Sequence, residues 1–128
     1  MPDSDRLRPH PGDRLDPTQQ FMDLAATATA LAAEAHPAVD GHRQMTLFRR
    51  GPVTLIEFVF APGGHLKEHQ ADGVVTLHAL SGRLGVAVDG TTHELNAGQL
   101  LALGPKILHS VTAVAASTML LTVHRGVA

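Results

Sequence analysis

Two histidines, His69 and His109, are the residues whose type and context most favour chemistry in this 128-residue chain. His109 lies in the apolar segment 107–113 and shares strand parity with Val111, so its imidazole is expected to point into the interior. His69 precedes the apolar run 74–80 and is expected to face the same interior. An imidazole can bind a metal, transfer a proton or hydrogen-bond a ligand. The alternative for each residue is a hydrogen-bonded histidine of the core.

A metal site at this pair needs a further ligand, because catalytic zinc sites usually have about three protein ligands. His65 is one candidate, since it has the parity of His69 if residues 64–69 are extended. His78 is another, but its parity within the run 74–80 is outward, so it reaches the interior only if a β-bulge redirects it. One interpretation is therefore a divalent transition metal (Zn, Fe, Mn or Ni) with ligands from the set His69, His109, His78 and His65.

A single helix is predicted ahead of the segments that position these residues. Asp16 can cap its N-terminus, and Pro17 suits the first helical position. Apolar residues then recur at helical spacing until His36, which precedes a proline and therefore avoids the α region. We predict an N-terminal arm over residues 1–15 and a helix over residues 16–36.

The rest of the chain has the pattern of short β-strands. Asp89-Gly90, between two alternating segments, is a strong signal for a two-residue hairpin. About eight short strands with closely spaced turns indicate an all-β sandwich or barrel. A parallel α/β sheet does not fit, because no helical pattern separates the strands. We predict one β-barrel domain over residues 42–128, with strands at residues 44–50, 53–60, 74–80, 83–88, 91–95, 100–103, 107–113 and 117–124.

The segment that holds both histidines resembles the two sequence motifs of cupins. In the first motif, Gly63 is followed six residues later by His69, and the motif closes with a turn at Gly82. The second motif begins at Gly98 and ends with His109 eleven residues later. The chain is thus similar to small single-domain bacterial cupins.

This resemblance implies an all-β fold, a single cupin-type (RmlC-like) jelly-roll barrel with an N-terminal α-helix. It also implies a pocket inside the barrel. Many cupins hold Fe, Mn, Ni or Zn there with three histidines and one glutamate, and His69 and His109 stand at two of these four positions.

The other two positions depart from the cupin pattern. The second histidine of the motif is replaced by Ala71 and the glutamate by Val75. Neither side chain can bind a metal, and both make the expected cavity more apolar. The proline and glycine of the second motif are also displaced, so the turn before His109 is expected to be reshaped, with Lys106 near the barrel mouth.

Composition limits the possible partners. The formal charge is −2, no basic stripe occurs, and Trp and Tyr are absent, which argues against nucleic-acid binding. No apolar run reaches membrane-spanning length, and the polar, proline-rich start has no signal-peptide core. We expect a cytoplasmic protein without a membrane partner. Both parities of residues 53–60 and 74–80 are apolar, so these strands are expected to be covered on both faces, and we expect a homodimer.

Three functions follow from these observations. The first is a barrel that binds a small molecule without catalysis, as the apolar Ala71 and Val75 suggest, either directly or through a divalent metal held by histidines. The second is a metal-dependent oxygenase or isomerase that uses His69, His109 and a recruited histidine. The third is a structural or interaction module with no occupied site. Glu57 has two interpretations, an outward or interface position and a general acid or base in the pocket.

Overall fold

Two antiparallel sheets enclose the core of this protein. A computed structural model describes residues 18–35 and 37–126. The elements are helix α1 (Leu24–Ala32) and strands β1 (His42–Arg50), β2 (Val53–Phe60), β3 (His65–His69), β4 (Gly73–Ser81), β5 (Arg83–Val88), β6 (Thr91–Asn96), β7 (Leu100–Leu103), β8 (His109–Ala113) and β9 (Ser117–Arg125). The first sheet has the order β1-β2-β9-β4-β7, and the second has the order β3-β8-β5-β6. The predicted all-β jelly-roll barrel with an N-terminal helix is confirmed.

The helix is shorter than predicted. It begins at Leu24 because the Asp23 carboxylate accepts a hydrogen bond of 3.0 Å from the Ala26 backbone N–H, which satisfies a helix N-terminus. Residues 18–23 and 33–35 are not α-helical, so the predicted range 16–36 is wrong at both ends. The arm 1–15, the proposed cap and the proposed C-terminal histidine lie outside the described residues. Within the described part of the chain, no helix is long and apolar enough to cross a membrane.

The turn chemistry of the strands agrees with the sequence. Asp89 (φ 54°) and Gly90 (φ 78°) both adopt the left-handed conformation that a tight hairpin turn requires, and they join β5 to β6. The segment before His69 is not among the predicted strands. It forms the additional strand β3. Strand β8 begins at His109, two residues later than predicted, so Ile107 lies outside it and is 39% exposed.

The core lies between the two sheets because each strand alternates inward and outward residues. In β4, for example, Val75, Leu77 and Ala79 are buried, whereas the residues between them are half-buried. The buried apolar residues form one cluster: Phe58, Phe60, Val75, Leu77, Ala79, Leu84, Val86, Leu95, Val111, Ala113, Met119, Leu121 and Val123.

The two ends of the barrel differ. At one end the ring of His42 packs against Phe58 and Phe60, with ring centroids 5.9 and 5.8 Å away. At the other end β3, β5, β7 and β9 finish and β4 and β8 begin. We call this second end the mouth. The mouth brings His69 and His109 together from strands far apart in the sequence.

Candidate functional site at the barrel mouth

His69 and His109 are neighbours on the inner wall of the mouth. They are cross-strand partners of β3 and β8, and their ring centroids are 4.3 Å apart at an interplanar angle of 56°. His109 is 2% exposed, whereas His69 is half-buried. The two imidazoles, which were each expected to face the interior, are therefore neighbours in the fold.

Both imidazoles are held in the same way by the backbone. His69 Nδ1 donates to the Lys67 carbonyl oxygen at 2.7 Å, and His109 Nδ1 donates to the Ile107 carbonyl oxygen at 2.9 Å. A carbonyl oxygen only accepts, so each neutral ring carries its proton on Nδ1. The Nε2 atom of each ring keeps its lone pair and has no hydrogen-bond partner among the described residues. The pair therefore offers two nitrogen acceptors side by side.

Burial keeps His109 in this neutral form. Desolvation lowers the pKa of His109 below its usual 6.5, and the adjacent His69 lowers it further. The hydrogen bond to the Ile107 carbonyl oxygen acts in the opposite direction and does not compensate. The His109 Nε2 is consequently an acceptor rather than a cationic donor at neutral pH.

Apolar side chains surround the pair. Val88 lies opposite His109 on β5 and packs against the core. On the facing sheet Val75, which is 3% exposed, pairs with Leu103. Ala71 also packs against the core. The two positions that lack the cupin ligands thus belong to the apolar wall of the mouth.

His65 does not join the pair. The register of β3 against β8 shifts between Leu66 and His69, so that Leu66 opposes the buried Val111 and faces inward. His65 consequently faces outward, with its Nε2 atom 4.0 Å from a carboxylate oxygen of Asp40. Counting alternate residues from His69 back to His65 gives the wrong face for His65, because this register shift changes the alternation.

His78 does not join the pair either. Its cross-strand partners are Leu120 on β9 and Leu100 on β7, on the outer face of the five-stranded sheet. No irregularity of β4 redirects it, because the strand alternates regularly from Gly73 to Ala79. Within residues 18–35 and 37–126, no group of three or more His, Cys, Asp or Glu side chains could hold a metal ion. The described residues therefore provide two imidazole donors at the mouth.

Arg125 and Thr54 extend the site and are absent from the sequence-based candidates. Arg125 Nη1 donates to Thr54 Oγ1 at 3.0 Å, and Thr54 is 1% exposed. In β9 the inward residues are Met119, Leu121, Val123 and then Arg125, and Arg125 lies opposite Gly73 where β4 begins. The predicted last strand stopped one residue short of Arg125. Extending that strand and counting its parity would have found this residue.

Lys106 lies in the turn before His109, at the mouth end of the barrel. Lys106 has a φ of 60°, and its backbone N–H donates to the Ala71 carbonyl oxygen at 2.7 Å. This bond ties the turn to the segment after His69. A polar cavity of about 360 Å³ lies beside it and is lined by Glu68, Gln70, Asp89, Gly90, Lys106, Ile107 and Leu108.

Glu57 lies away from the mouth. Its cross-strand partners are Met45 and Leu120, on the outer face of the five-stranded sheet, and its side chain is 0% exposed. Of its two expected positions, the outward one is observed. Burial, and to a smaller extent the carboxylate of Asp23, raises the pKa of Glu57 to about 7. Glu57 is therefore no acid or base for chemistry inside the barrel.

Comparison with known proteins shows the fold. A conserved protein of unknown function from Streptococcus pyogenes is 23% identical, with a TM-score of 0.68 over 88% of this chain and 92% of its own. A cupin superfamily protein from Desulfitobacterium hafniense is 20% identical, with a TM-score of 0.68 over 86% of this chain and 94% of its own. An RmlC-like cupin from Shewanella frigidimarina is 18% identical, with a TM-score of 0.66 over 73% of this chain and 84% of its own. No protein-family model and no curated protein matches the sequence.

Proposed function

We propose, from the cupin fold of this chain and the geometry of its mouth, that the protein binds a small molecule there. The ligand donates hydrogen bonds to the Nε2 atoms of His69 and His109 and rests against the apolar wall that includes Val75. The observation that carries this proposal is the shared anchoring of both rings by backbone carbonyls, which leaves two acceptors uncommitted. An apolar site with a few convergent polar groups is the usual form of a small-molecule site.

A resident metal does not fit this donor set. The described residues provide two imidazoles, one fewer than the three protein ligands that are usual at catalytic zinc sites. Ala71 and Val75 cannot add a third donor, and His65 and His78 face outward. The proposed binding therefore runs through hydrogen bonds to the imidazoles.

A metal-dependent oxygenase or isomerase is the second candidate, and one observation favours it. A metal-binding histidine typically donates its other ring N–H to a carbonyl or carboxylate, and both His69 and His109 do so through Nδ1. This candidate needs a further donor that comes from outside the described residues. It predicts stoichiometric metal binding, whereas the first candidate does not.

Phenol and anisole separate these candidates. Both probes carry one aromatic ring, but phenol has a hydroxyl donor and anisole has none. We expect phenol to shift the Nε2 resonances of His69 and His109 in ¹⁵N-labelled, metal-free protein in a saturable way, and anisole to shift them much less. Replacing His109→Phe retains a ring and removes the acceptor, so phenol binding should be lost. His78→Phe, on the outer face, is the matched control and should bind phenol as the wild type does.

The contrary results are equally specific. If phenol leaves both Nε2 resonances unchanged, small-molecule binding at the pair is refuted. A structural or interaction module then becomes the favoured function. If added Zn²⁺, Mn²⁺, Fe²⁺ or Ni²⁺ binds with one-to-one stoichiometry and this binding is lost in His69→Phe and His109→Phe, the metal-dependent candidate replaces the proposal. Metal binding would also raise the unfolding temperature, since a ligand of the native state stabilises it.

We also propose a homodimer, which is supported by the outer face of the five-stranded sheet. Half-buried Leu55, Leu80 and Leu120 lie on this face, and Leu100 beside His78 is 53% exposed. Light scattering should give twice the chain mass, and Leu100→Asp should reduce it. A monomeric wild type at high concentration would refute this proposal. The cytoplasmic location stays a prediction from the sequence.

A further inference from the structure

Two arginines share the inward-facing side of the mouth with the buried hydroxyl of Thr54. Arg49 on β1 lies directly opposite Thr54 on β2. Residues directly opposite each other in an antiparallel pair point to the same face, with Cβ atoms about 5 Å apart. Thr54 is on the same face of β2 as the inward residues Ile56 and Phe58. Arg49 therefore projects from the same face as Thr54.

Arg125 approaches Thr54 from the other side. Its guanidinium donates to Thr54 Oγ1 at 3.0 Å, and its backbone N–H donates to the Pro52 carbonyl oxygen at 2.8 Å. These two contacts fix both the strand end and the direction of the side chain. Thr54 is consequently flanked by Arg49, its cross-strand neighbour on β1, and by Arg125, whose guanidinium contacts its hydroxyl. We call these residues the arginine cluster (Arg49, Thr54 and Arg125).

In the part of the chain that the structure describes, the arginine cluster has no acidic counterpart. Among residues 18–35 and 37–126, no carboxylate oxygen lies within 4.0 Å of a nitrogen of Arg49 or Arg125. Asp40 is directed to His65 and Lys67 instead, at 4.0 Å each. Both arginines are solvent-exposed, although the whole chain has a formal charge of −2. The arginine cluster thus presents positive charge that an anionic ligand can neutralise.

The histidine pair and the arginine cluster favour different chemical groups of a ligand. The Nε2 lone pairs of His69 and His109 repel an anion and accept from a hydroxyl. A guanidinium binds a carboxylate through two parallel N–H···O bonds, the stronger type of charge-assisted hydrogen bond. Resting on the proposed function, we infer that the ligand is a small hydroxylated carboxylic acid, whose carboxylate binds the arginine cluster and whose hydroxyl binds the histidine pair.

The probes that test this inference are 4-hydroxybenzoate and 4-hydroxybenzamide. They share size, shape and hydroxyl, and they differ in charge. Hydrogen bonds to charged groups are the more valuable class, so we expect the carboxylate to bind about tenfold more tightly than the amide. Arg125→Gln should abolish this difference, and Arg49→Gln should reduce it. Isothermal titration calorimetry measures each affinity, and the Nε2 resonances report whether the hydroxyl reaches the pair.

The controls distinguish this inference from the function on which it rests. Arg83→Gln removes an exposed arginine at the opposite end of the barrel, so it should leave both affinities unchanged. Arg125→Gln should keep the cooperative urea unfolding of the wild type, which shows that the variant is folded, and phenol binding to the wild type reports the proposed function separately. Equal affinities for the two benzoic derivatives, or a carboxylate preference that survives Arg125→Gln, would overturn the inference while phenol binding leaves the proposed function standing. Failure of phenol to reach the pair in the wild type would overturn both.

Discussion

Glu57 and His109 are both ionisable and almost completely excluded from solvent, yet they lie on different walls of the barrel and in different surroundings. His109 lies on the inner wall of the mouth and is anchored through Nδ1, so that its Nε2 is uncommitted among the described residues. Glu57 lies on the outer face of the five-stranded sheet, and neither of its carboxylate oxygens has a hydrogen-bond partner among the described residues. Burial raises the pKa of Glu57 and lowers the pKa of His109, so it favours the neutral form of both side chains. Burial alone therefore does not identify a binding residue, whereas a position on the inner wall of the mouth with an uncommitted second nitrogen does.

The two residues should give stability opposite dependences on pH. The pKa of Glu57 is raised in the folded state, so its contribution is fully present below about 4.5 and is lost as pH rises through about 7. The pKa of His109 is lowered, so its contribution is present above 6.5 and is lost as pH falls through the lowered value. The unfolding free energy is thus reduced by Glu57 as pH rises and by His109 as pH falls, and these residues lie on different walls.

The largest effect is expected from Glu57→Gln, which removes the charge and keeps the shape. Between pH 5 and pH 8 the wild type should lose about 2.5 kcal/mol of unfolding free energy that Glu57→Gln does not lose, because ionising the buried carboxylate becomes unnecessary. Urea unfolding at the two pH values measures this difference. Parallel pH profiles for the two proteins would show that Glu57 ionises without cost, and the contrast with His109 would then disappear.

A smaller effect separates the two roles of Asp23, which caps helix α1 and raises the pKa of Glu57. Asp23→Ala should cost about 1 kcal/mol at pH 5 through the lost cap, whereas Asp23→Asn retains a capping side chain. At pH 8, Asp23→Asn should be more stable than the wild type, because the repulsion of ionised Glu57 is gone. If both variants lose equal stability at pH 5 and at pH 8, the electrostatic link to Glu57 is absent.

The smallest effect is expected on the acid side of neutrality. His109→Phe removes the group whose protonation the fold opposes, so its unfolding free energy should fall less steeply below pH 6.5 than that of the wild type. His124→Phe, an exposed position, is the control and should keep the wild-type slope. Identical slopes for His109→Phe and the wild type would show that His109 is protonated as readily as an exposed histidine.

The inner wall could be predicted from the sequence because it depends on period-two alternation and turn residues. Strand parity placed His109 inward, and the Asp89-Gly90 signal fixed the hairpin between β5 and β6. The register shift before His69 could not be predicted, since no residue type marks it, and His65 was therefore misjudged as an inward candidate. The burial of Glu57 depends on the packing of segments that are distant in the chain, which the local sequence pattern does not show.

Arg125, at the mouth, shows the same limit of prediction from sequence. Arg125 follows the predicted end of the last strand, so its inward direction was overlooked, although the alternation of β9 continues to it. Its contact with Thr54 joins residues that are 71 positions apart in the chain. Such a contact becomes visible only when β2 and β9 are paired. The histidine pair could thus be found from sequence, and the arginine cluster could not.

The tautomers of His69 and His109 test the central claim most directly. A long-range ¹H–¹⁵N correlation spectrum of the imidazoles at pH 7.5, with assignments from His69→Phe and His109→Phe, shows which nitrogen of each ring carries the proton. The anchoring by backbone carbonyls predicts Nδ1–H and an unprotonated Nε2 in both rings, and a shift of both Nε2 signals on addition of phenol. Protonation of either ring at Nε2 would remove an acceptor from the mouth and contradict the proposed binding site.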